Sequence, residues 1–180
     1  MSEKVLLMPV GLPGSGKSTW ARKTGIPMVN PDSIRLALHG HVFYQPAEPM
    51  VWATAHLMVS AMFKAGHDRV ILDATNLTER RRQEWASKDW VRAYVEFRVP
   101  EDVCVGRMVA ERKQPDMVPI IRRMAKDITW PSDFTGFEKT VDGLDTHATA
   151  RFLHYLGIEQ PAEISDVVVT GRSGIPPYEY

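Results

Sequence analysis

An α/β fold, with a parallel sheet covered by helices on both faces, is the architecture this sequence predicts, on three observations. Short apolar runs ending near Gly, Asn or Asp alternate with helix-patterned stretches along most of the chain, the order of repeated βαβ units. A glycine-rich turn joins the first apolar run to the first helical stretch. The 180 residues include 44% hydrophobic and 24% charged side chains and one cysteine, enough for a single core without disulfide or structural zinc.

Lys4–Val10 (KVLLMPV) is the first strand, with Pro9 assigned to its C-terminal end because proline cannot donate to a central ladder. A helix from about Lys17 to Thr24 stops at Gly25, and Ile26–Asn30 is the second strand. Ser33–His39 reads as a short helix closed by Gly40. Pro46 suits the first turn of a longer one running to about Ala65. Met50, Ala53, Leu57 and Ala61, flanked by Val51, Met58 and Met62, give that helix a wide apolar face and argue for its burial. Arg69–Leu72 is the third strand, Glu79–Lys88 a polar helix, and Val91–Val99 an alternating strand. Glu101–Glu111 and Pro119–Asp127 read as helices. Phe137–Val141 and Asp166–Thr170 read as strands flanking a helix near His147–Leu156. The expected division is one domain over 1–170, with a lid about 107–119, and a surface tail over 171–180.

Charge excludes little: 22 Lys+Arg balance 22 Asp+Glu, so any nucleic-acid site has to be local. No run of eighteen apolar residues suggests a membrane span, and MSEKVLLMPVG lacks a signal-peptide core. With Cys104 alone, a reducing, cytoplasmic setting is expected.

Gly11-Leu-Pro-Gly-Ser-Gly-Lys-Ser18 satisfies G-x-x-x-x-G-K-[ST] between a strand and a helix. Glycines 11, 14 and 16 let successive N–H groups face one anion, toward which the following helix directs its positive end. Lys17 can reach β- and γ-phosphates, and the Ser18 hydroxyl can ligate Mg2+. Gly11, Pro13, Gly14, Ser15, Gly16, Lys17, Ser18 and Thr19 are the candidate nucleotide-binding set on this segment. No Asn-Lys-x-Asp element reads guanine, and Asp133-Phe-Thr-Gly136 matches D-x-x-G by spelling alone. The third strand ends Asp73-Ala-Thr-Asn76 rather than in the Asp-Glu pair of a motor. Transfer to a hydroxyl acceptor fits best.

The stretch Gly11–Arg22, with Pro13 and Trp20-Ala21-Arg22, closely resembles the phosphate loop of the phage-type polynucleotide 5′-hydroxyl kinase family. Asn30-Pro-Asp-Ser-Ile-Arg35, Asp73-Ala-Thr-Asn-Leu77 with Glu79-Arg80-Arg81, and Arg107-Met-Val-Ala-Glu-Arg112 with Val118-Pro119 resemble further elements of that family in order. The resemblance covers roughly residues 4 to 125. It implies a three-layer α/β/α P-loop kinase fold with a helical lid, ATP as donor, Mg2+, and DNA or RNA 5′-hydroxyl ends as acceptor in repair.

By that resemblance Asp32 is the general base and Arg35 contacts an acceptor phosphate. A carboxylate at a parallel strand's C-terminal end is also where such sheets bind ligands, although capping the next helix is the alternative role for Asp32. Asp73 supports a magnesium-bound water, bonds Lys17 or Ser18, or forms a turn. Asn76 joins the acceptor-side set and more naturally fixes loop geometry. Arg107 binds nucleotide and Arg112 is the catalytic lid cation, with Lys113 the alternative and an Arg107–Glu111 surface pair the bland reading. The arginine spacing is one residue longer than the family pattern.

Trp52, Trp130 and Tyr44 are read as core before stacking surfaces, Arg80-Arg81-Arg82 as a solvated helix end, and His39 and His41 as surface residues. Arg122-Arg123 is a weaker candidate for phosphate contact. No Asp-x-Asp-x-Thr phosphatase motif exists; Asp142-Gly-Leu-Asp-Thr146 has the wrong spacing. The C-terminal region is expected to cover the nucleotide or to form a homo-oligomer interface. Alternatives to the polynucleotide reading are a kinase of a small-molecule hydroxyl and a non-catalytic nucleotide-binding partner protein.

Overall fold

A computed structural model describes residues 3–41, 43–131, the backbone of 139–142, and residue 154. Five strands form one parallel sheet: β1 (Val5–Val10), β2 (Met28–Val29), β3 (Arg69–Leu72), β4 (Val91–Glu96) and β5 (Lys139–Asp142). Their spatial order is β2-β3-β1-β4-β5. The helices are α1 (Lys17–Lys23), α2 (Pro31–His39), α3 (Glu48–Lys64), α4 (Glu79–Gln83), α5 (Glu101–Ala110) and α6 (Val118–Asp127).

Every side chain of β1 is buried, because alternate residues feed two cores. Val5 and Leu7 pack with Trp20 and Ala21 of α1 and with Ile71, Ala93, Val95 and Phe97. Leu6, Met8 and Val10 face the other way, against Val51, Ala55, Val59 and Phe63 of α3. This is the three-layer arrangement the alternating elements predict. Pro9 does fall near the strand's end. Pairing of β1 with β3 stops at Leu7, whereas pairing with β4 continues to Val10. The Pro9 carbonyl accepts from Asn76 Nδ2 at 2.8 Å, so the missing N–H lies on the flank where the ladder has already ended.

Several boundaries differ from the sequence reading. Helix α2 begins two residues earlier, at Pro31, because Asn30 caps it. Pro46 belongs to a 3₁₀ turn, Gln45–Ala47, that leads into α3. The helix expected over Glu79–Lys88 ends at Gln83, where the chain turns inward to bury Trp85. On α3 the buried row is Val51, Ala55, Val59 and Phe63, while Met50 and Leu57 are exposed. Apolar residues on both sides of this helix left its phase undetermined by composition. The segment after α5 passes through a 3₁₀ turn, Pro115–Met117, into α6, which packs on α5 around Cys104, Met108 and Ile121. The expected helix near His147–Leu156, the strand at Asp166–Thr170 and the tail from Gly171 lie outside the described residues, His154 excepted.

Candidate active site

The phosphate loop, the start of α2 and Asp73 follow directly on β1, β2 and β3, at the C-terminal edge of the sheet where parallel α/β sheets bind ligands. After β1 the chain turns at Leu12–Ser15, with Ser15 N donating to Leu12 O at 3.1 Å. Gly14 (φ 84) and Gly16 (φ 98) occupy the left-handed region, and Gly16 is the N-cap of α1, without a side-chain cap. Gly14 also has to be glycine for space: a Cβ there would stand 2.7 Å from the Cys104 carbonyl oxygen. Gly11 has a different role from curling the loop, since a Cβ there would meet the Phe97 carbonyl at 2.8 Å. Pro13 is half-buried, Ser15 buried and Thr19 exposed.

Lys17 is 6% exposed and donates from Nζ to Leu12 O at 2.7 Å and Ser15 Oγ at 3.2 Å. Burial lowers its pKa to about 8; Asp73, Cys104 and Asp32 oppose that shift and Arg112 adds to it. The neighbouring Ser18 hydroxyl donates to Asp73 Oδ1 at 3.0 Å. Asp73 is buried, and its Oδ2 accepts from Asn30 Nδ2 at 2.9 Å. The bond to Ser18, one of the sequence readings for Asp73, is formed.

Asn30 therefore serves two neighbours. Its Oδ1 accepts from Ser33 N at 2.8 Å and caps α2, while its amide holds Asp73. The capping role left open to Asp32 is thus taken by Asn30, and the Asp32 carboxylate is 70% exposed in the first turn of α2. Arg35 Nη1 donates to Asp32 Oδ1 at 2.5 Å, and Arg35 Nε and Nη2 donate to Glu48 at 2.7 Å each. The pairing expected between Arg35 and an acceptor phosphate is matched here by two carboxylates.

From the last turn of α5, Arg107 Nη1 donates to the Gly14 carbonyl at 3.1 Å, so this guanidinium meets the phosphate loop rather than Glu111. Arg112 is exposed just beyond α5, close enough for its charge to act on Lys17. Lys113 forms a left-handed turn there (φ 56).

One reading is supported, for Asn76, and three need correction, for Arg82, His39 and Tyr44. Asn76 is 1% exposed, and its amide donates to the carbonyls of Pro9, Leu72 and Ala74. That is the loop-fixing role the sequence favours over the acceptor-side one. Arg82 is no solvated helix end. It is 2% exposed and donates to the carbonyls of Asn76, Leu77 and Thr129, tying the loop after β3 to the segment after α6. His39 is half-buried rather than superficial, edge-on to Tyr44, whereas His41 is exposed. Tyr44 itself is 54% exposed and not core. Trp52 and Trp130 do pack against the core, beneath the guanidinium groups of Arg81 (4.3 Å) and Arg98 (4.5 Å). Glu48 and the Arg81–Trp52 stack were not anticipated, because 13 and 29 residues separate partners that no periodicity relates.

A phosphate loop on a five-stranded parallel sheet, with helices on both faces and a helical segment over the loop, defines a P-loop kinase fold. A family model described as AAA domain (AAA_33) matches residues 6–125, and the chain belongs to that family. Among solved structures, a chain of the Pnkp1/Rnl/Hen1 complex is 31% identical, with 59% of this chain and 40% of that one covered and a TM-score of 0.55. A chain of the Pnkp1/Rnl/Hen1 RNA repair complex is 20% identical over 72% of this chain and 47% of its own, with a TM-score of 0.54. A gluconokinase from Sinorhizobium meliloti 1021 is 18% identical over 86% of this chain and 91% of its own, with a TM-score of 0.55. This chain thus spans less than half the length of the two repair-complex chains. No curated protein matches. No helix among the described residues is long and apolar enough to cross a membrane.

Proposed function

We propose that this chain is an ATP-dependent kinase that transfers the γ-phosphate to the 5′-hydroxyl end of DNA or RNA in nucleic-acid repair. One observation carries the reading: Ser18, Asp73 and Asn30 form an unbroken hydrogen-bonded line from the phosphate loop to the cap of the helix bearing Asp32 and Arg35. In this reading donor and acceptor residues share one hydrogen-bonded edge of the sheet. The ordered motifs resembling the phage-type family, and the 31% identity to a chain of the Pnkp1/Rnl/Hen1 complex, support the polynucleotide acceptor.

The residues fit a nucleotide and its metal. Two left-handed glycines shape an anion cradle ahead of α1, and Lys17 stands within it. The Ser18 hydroxyl points its proton at Asp73, which leaves oxygen lone pairs for a divalent cation; Asp73 would steady that ion's water. A divalent cation held there by Ser18 would supply positive charge against the phosphoryl oxygens of the nucleotide. With a pKa of about 8, Lys17 is protonated at neutral pH and can hold the transferring oxygens. Asp32, exposed at the edge, accepts the hydroxyl proton and aims the oxygen at phosphorus. Arg35 meets the acceptor's phosphate, while Arg107 and Arg112 attend the donor phosphates and the charge passing between them.

A second reading, a small-molecule hydroxyl acceptor, is favoured by the cancellation of Arg35's charge by Glu48 and by the zero net charge of the chain. Label transfer from γ-labelled ATP to a 5′-hydroxyl oligonucleotide separates the two. The expected result is transfer that falls steeply with salt and drops at least about a hundredfold in Lys17→Met and in Asp32→Asn. Transfer to the oligonucleotide no greater than that of Lys17→Met, with a neutral polyol or nucleoside labelled instead, overturns the polynucleotide reading.

A further inference from the structure

Glu48 lies in none of the sequence motifs, yet the hydrogen bonds of the acceptor side converge on it. Its Oε1 accepts from Arg35 Nε at 2.7 Å, and its Oε2 accepts from Arg35 Nη2 at 2.7 Å and Trp52 Nε1 at 3.0 Å. The Arg35 and Glu48 side chains are 11% and 13% exposed, so the pair is largely sheltered from water, whereas Asp32 is not. Behind Glu48, the Trp52 ring carries the Arg81 guanidinium 4.3 Å from its centroid. These contacts join α2, α3 and α4 into a single bracket.

The bracket has a mechanical meaning. A guanidinium has five N–H donors in a planar fork, and a carboxylate on the Nε/Nη2 edge fixes that plane. Once Glu48 sets the plane, Nη1 is committed to Asp32 Oδ1, and two N–H groups remain for an incoming anion. Without Glu48, Arg35 is a long side chain free to sample many rotamers, and Asp32 loses a fixed partner. We propose that Glu48 is a positioning residue for the acceptor: through the fork of Arg35 it fixes the Asp32 carboxylate and aims the remaining Arg35 donors at the acceptor's anionic group. Trp52 and Arg81 hold Glu48 in turn. The electrostatics agree. The hydrogen bond from Arg35 holds the Glu48 carboxyl below its ordinary range against the opposing effect of burial, and the same bond raises Arg35. Both groups are charged at neutral pH.

This inference rests on the kinase reading, so its test has one arm that needs catalysis and one that does not. In the transfer assay, Glu48→Gln keeps the shape and removes the charge. It raises the acceptor KM roughly tenfold or more and leaves the ATP KM within about twofold. Glu48→Asp recovers part of the loss, and Glu48→Gln adds nothing to Arg35→Gln. In ¹⁵N-arginine-labelled protein, the Arg35 Nε–H signal is protected from exchange and shifts in Asp32→Asn, and Glu48→Gln abolishes both properties. A lower acceptor KM in Glu48→Gln overturns the proposal, because Glu48 is then a competitor of the acceptor anion. Equal changes in both KM values, additivity with Arg35→Gln, or an Arg35 signal indifferent to Glu48→Gln also overturn it. If the wild type labels no oligonucleotide, the polynucleotide reading falls by itself, and the spectroscopic arm still decides the role of Glu48.

Discussion

The proposed donor and acceptor halves of this site are built from different materials. On the donor side, residues 11 to 18 are contiguous, and most of the geometry is backbone: two left-handed glycines, a turn at Leu12–Ser15 and the uncapped start of α1. On the acceptor side the backbone is ordinary helix. Its distinctive geometry lies in side chains from positions 32, 35, 48, 52 and 81, which meet only after three helices have packed. A backbone cradle tolerates no substitution that blocks its dihedral angles. A side-chain bracket tolerates changes of scaffold and is broken by changes of charge.

The largest effect that tests this contrast is expected at Gly14. Alanine there combines a left-handed φ of 84 with a Cβ placed 2.7 Å from the Cys104 backbone carbonyl. The two penalties together are about 3 kcal/mol. Urea unfolding should show a loss of that order, with weakened ATP binding because the loop must move away from α5. Gly16→Ala is the control: φ is 98 but nothing lies within 4 Å, so only backbone strain of about 1–2 kcal/mol is expected. Equal losses at the two positions would show that the close approach of α5 is not what demands glycine.

A smaller effect concerns protons. Burial holds the Lys17 ammonium at a pKa of about 8, below the ordinary lysine value. Its charged form therefore predominates below that pH and is lost above it. Since kcat/KM reports the free enzyme, kcat/KM for ATP should fall by about tenfold per pH unit above 8. The sign for stability is the reverse: the unfolded chain binds the Lys17 proton more tightly, so this residue's contribution to stability rises between pH 8 and 10.5. Lys17→Met should remove that rise from a comparison of unfolding curves. A profile flat to pH 10 would place the ammonium in a more solvated setting than its burial implies.

The contrast also accounts for what was legible in the sequence. The phosphate loop, its flanking strand and helix, and the parallel alternation were all readable, because each is a local pattern of a few residues. The partner of Arg35 was not. Glu48 sits 13 residues away across a 3₁₀ turn, and nothing in the intervening spacing marks the two as neighbours. Arg82 was misread for a related reason: a run of three arginines looks solvated, and only the tertiary fold brings the carbonyls of Asn76, Leu77 and Thr129 around one of them. The buried row of α3 was missed because that helix is apolar on several sides, so its pattern carried no phase. Asp32 and Arg35 could be singled out from their short motif, but the carboxylate partners Arg35 now has are products of packing.

Asn30 belongs to both halves and gives the finest test of their connection. Its carbonyl oxygen caps the helix that bears Asp32, and its amide donates to the Asp73 carboxylate that accepts from Ser18. Loss of an Asn cap costs about 1 kcal/mol, so Asn30→Ala should lower stability by that amount. If the line from Ser18 to α2 matters for transfer, Asn30→Ala also changes the kinetics on both sides, raising the ATP KM and the acceptor KM together. Asn30→Asp separates the roles, since it keeps the cap and places a second carboxylate against Asp73. Stability should then recover in part while the ATP KM stays high. Were Asn30→Asp to restore both KM values, the cap alone would be what matters, and the two halves of the site would be independent neighbours rather than one hydrogen-bonded assembly.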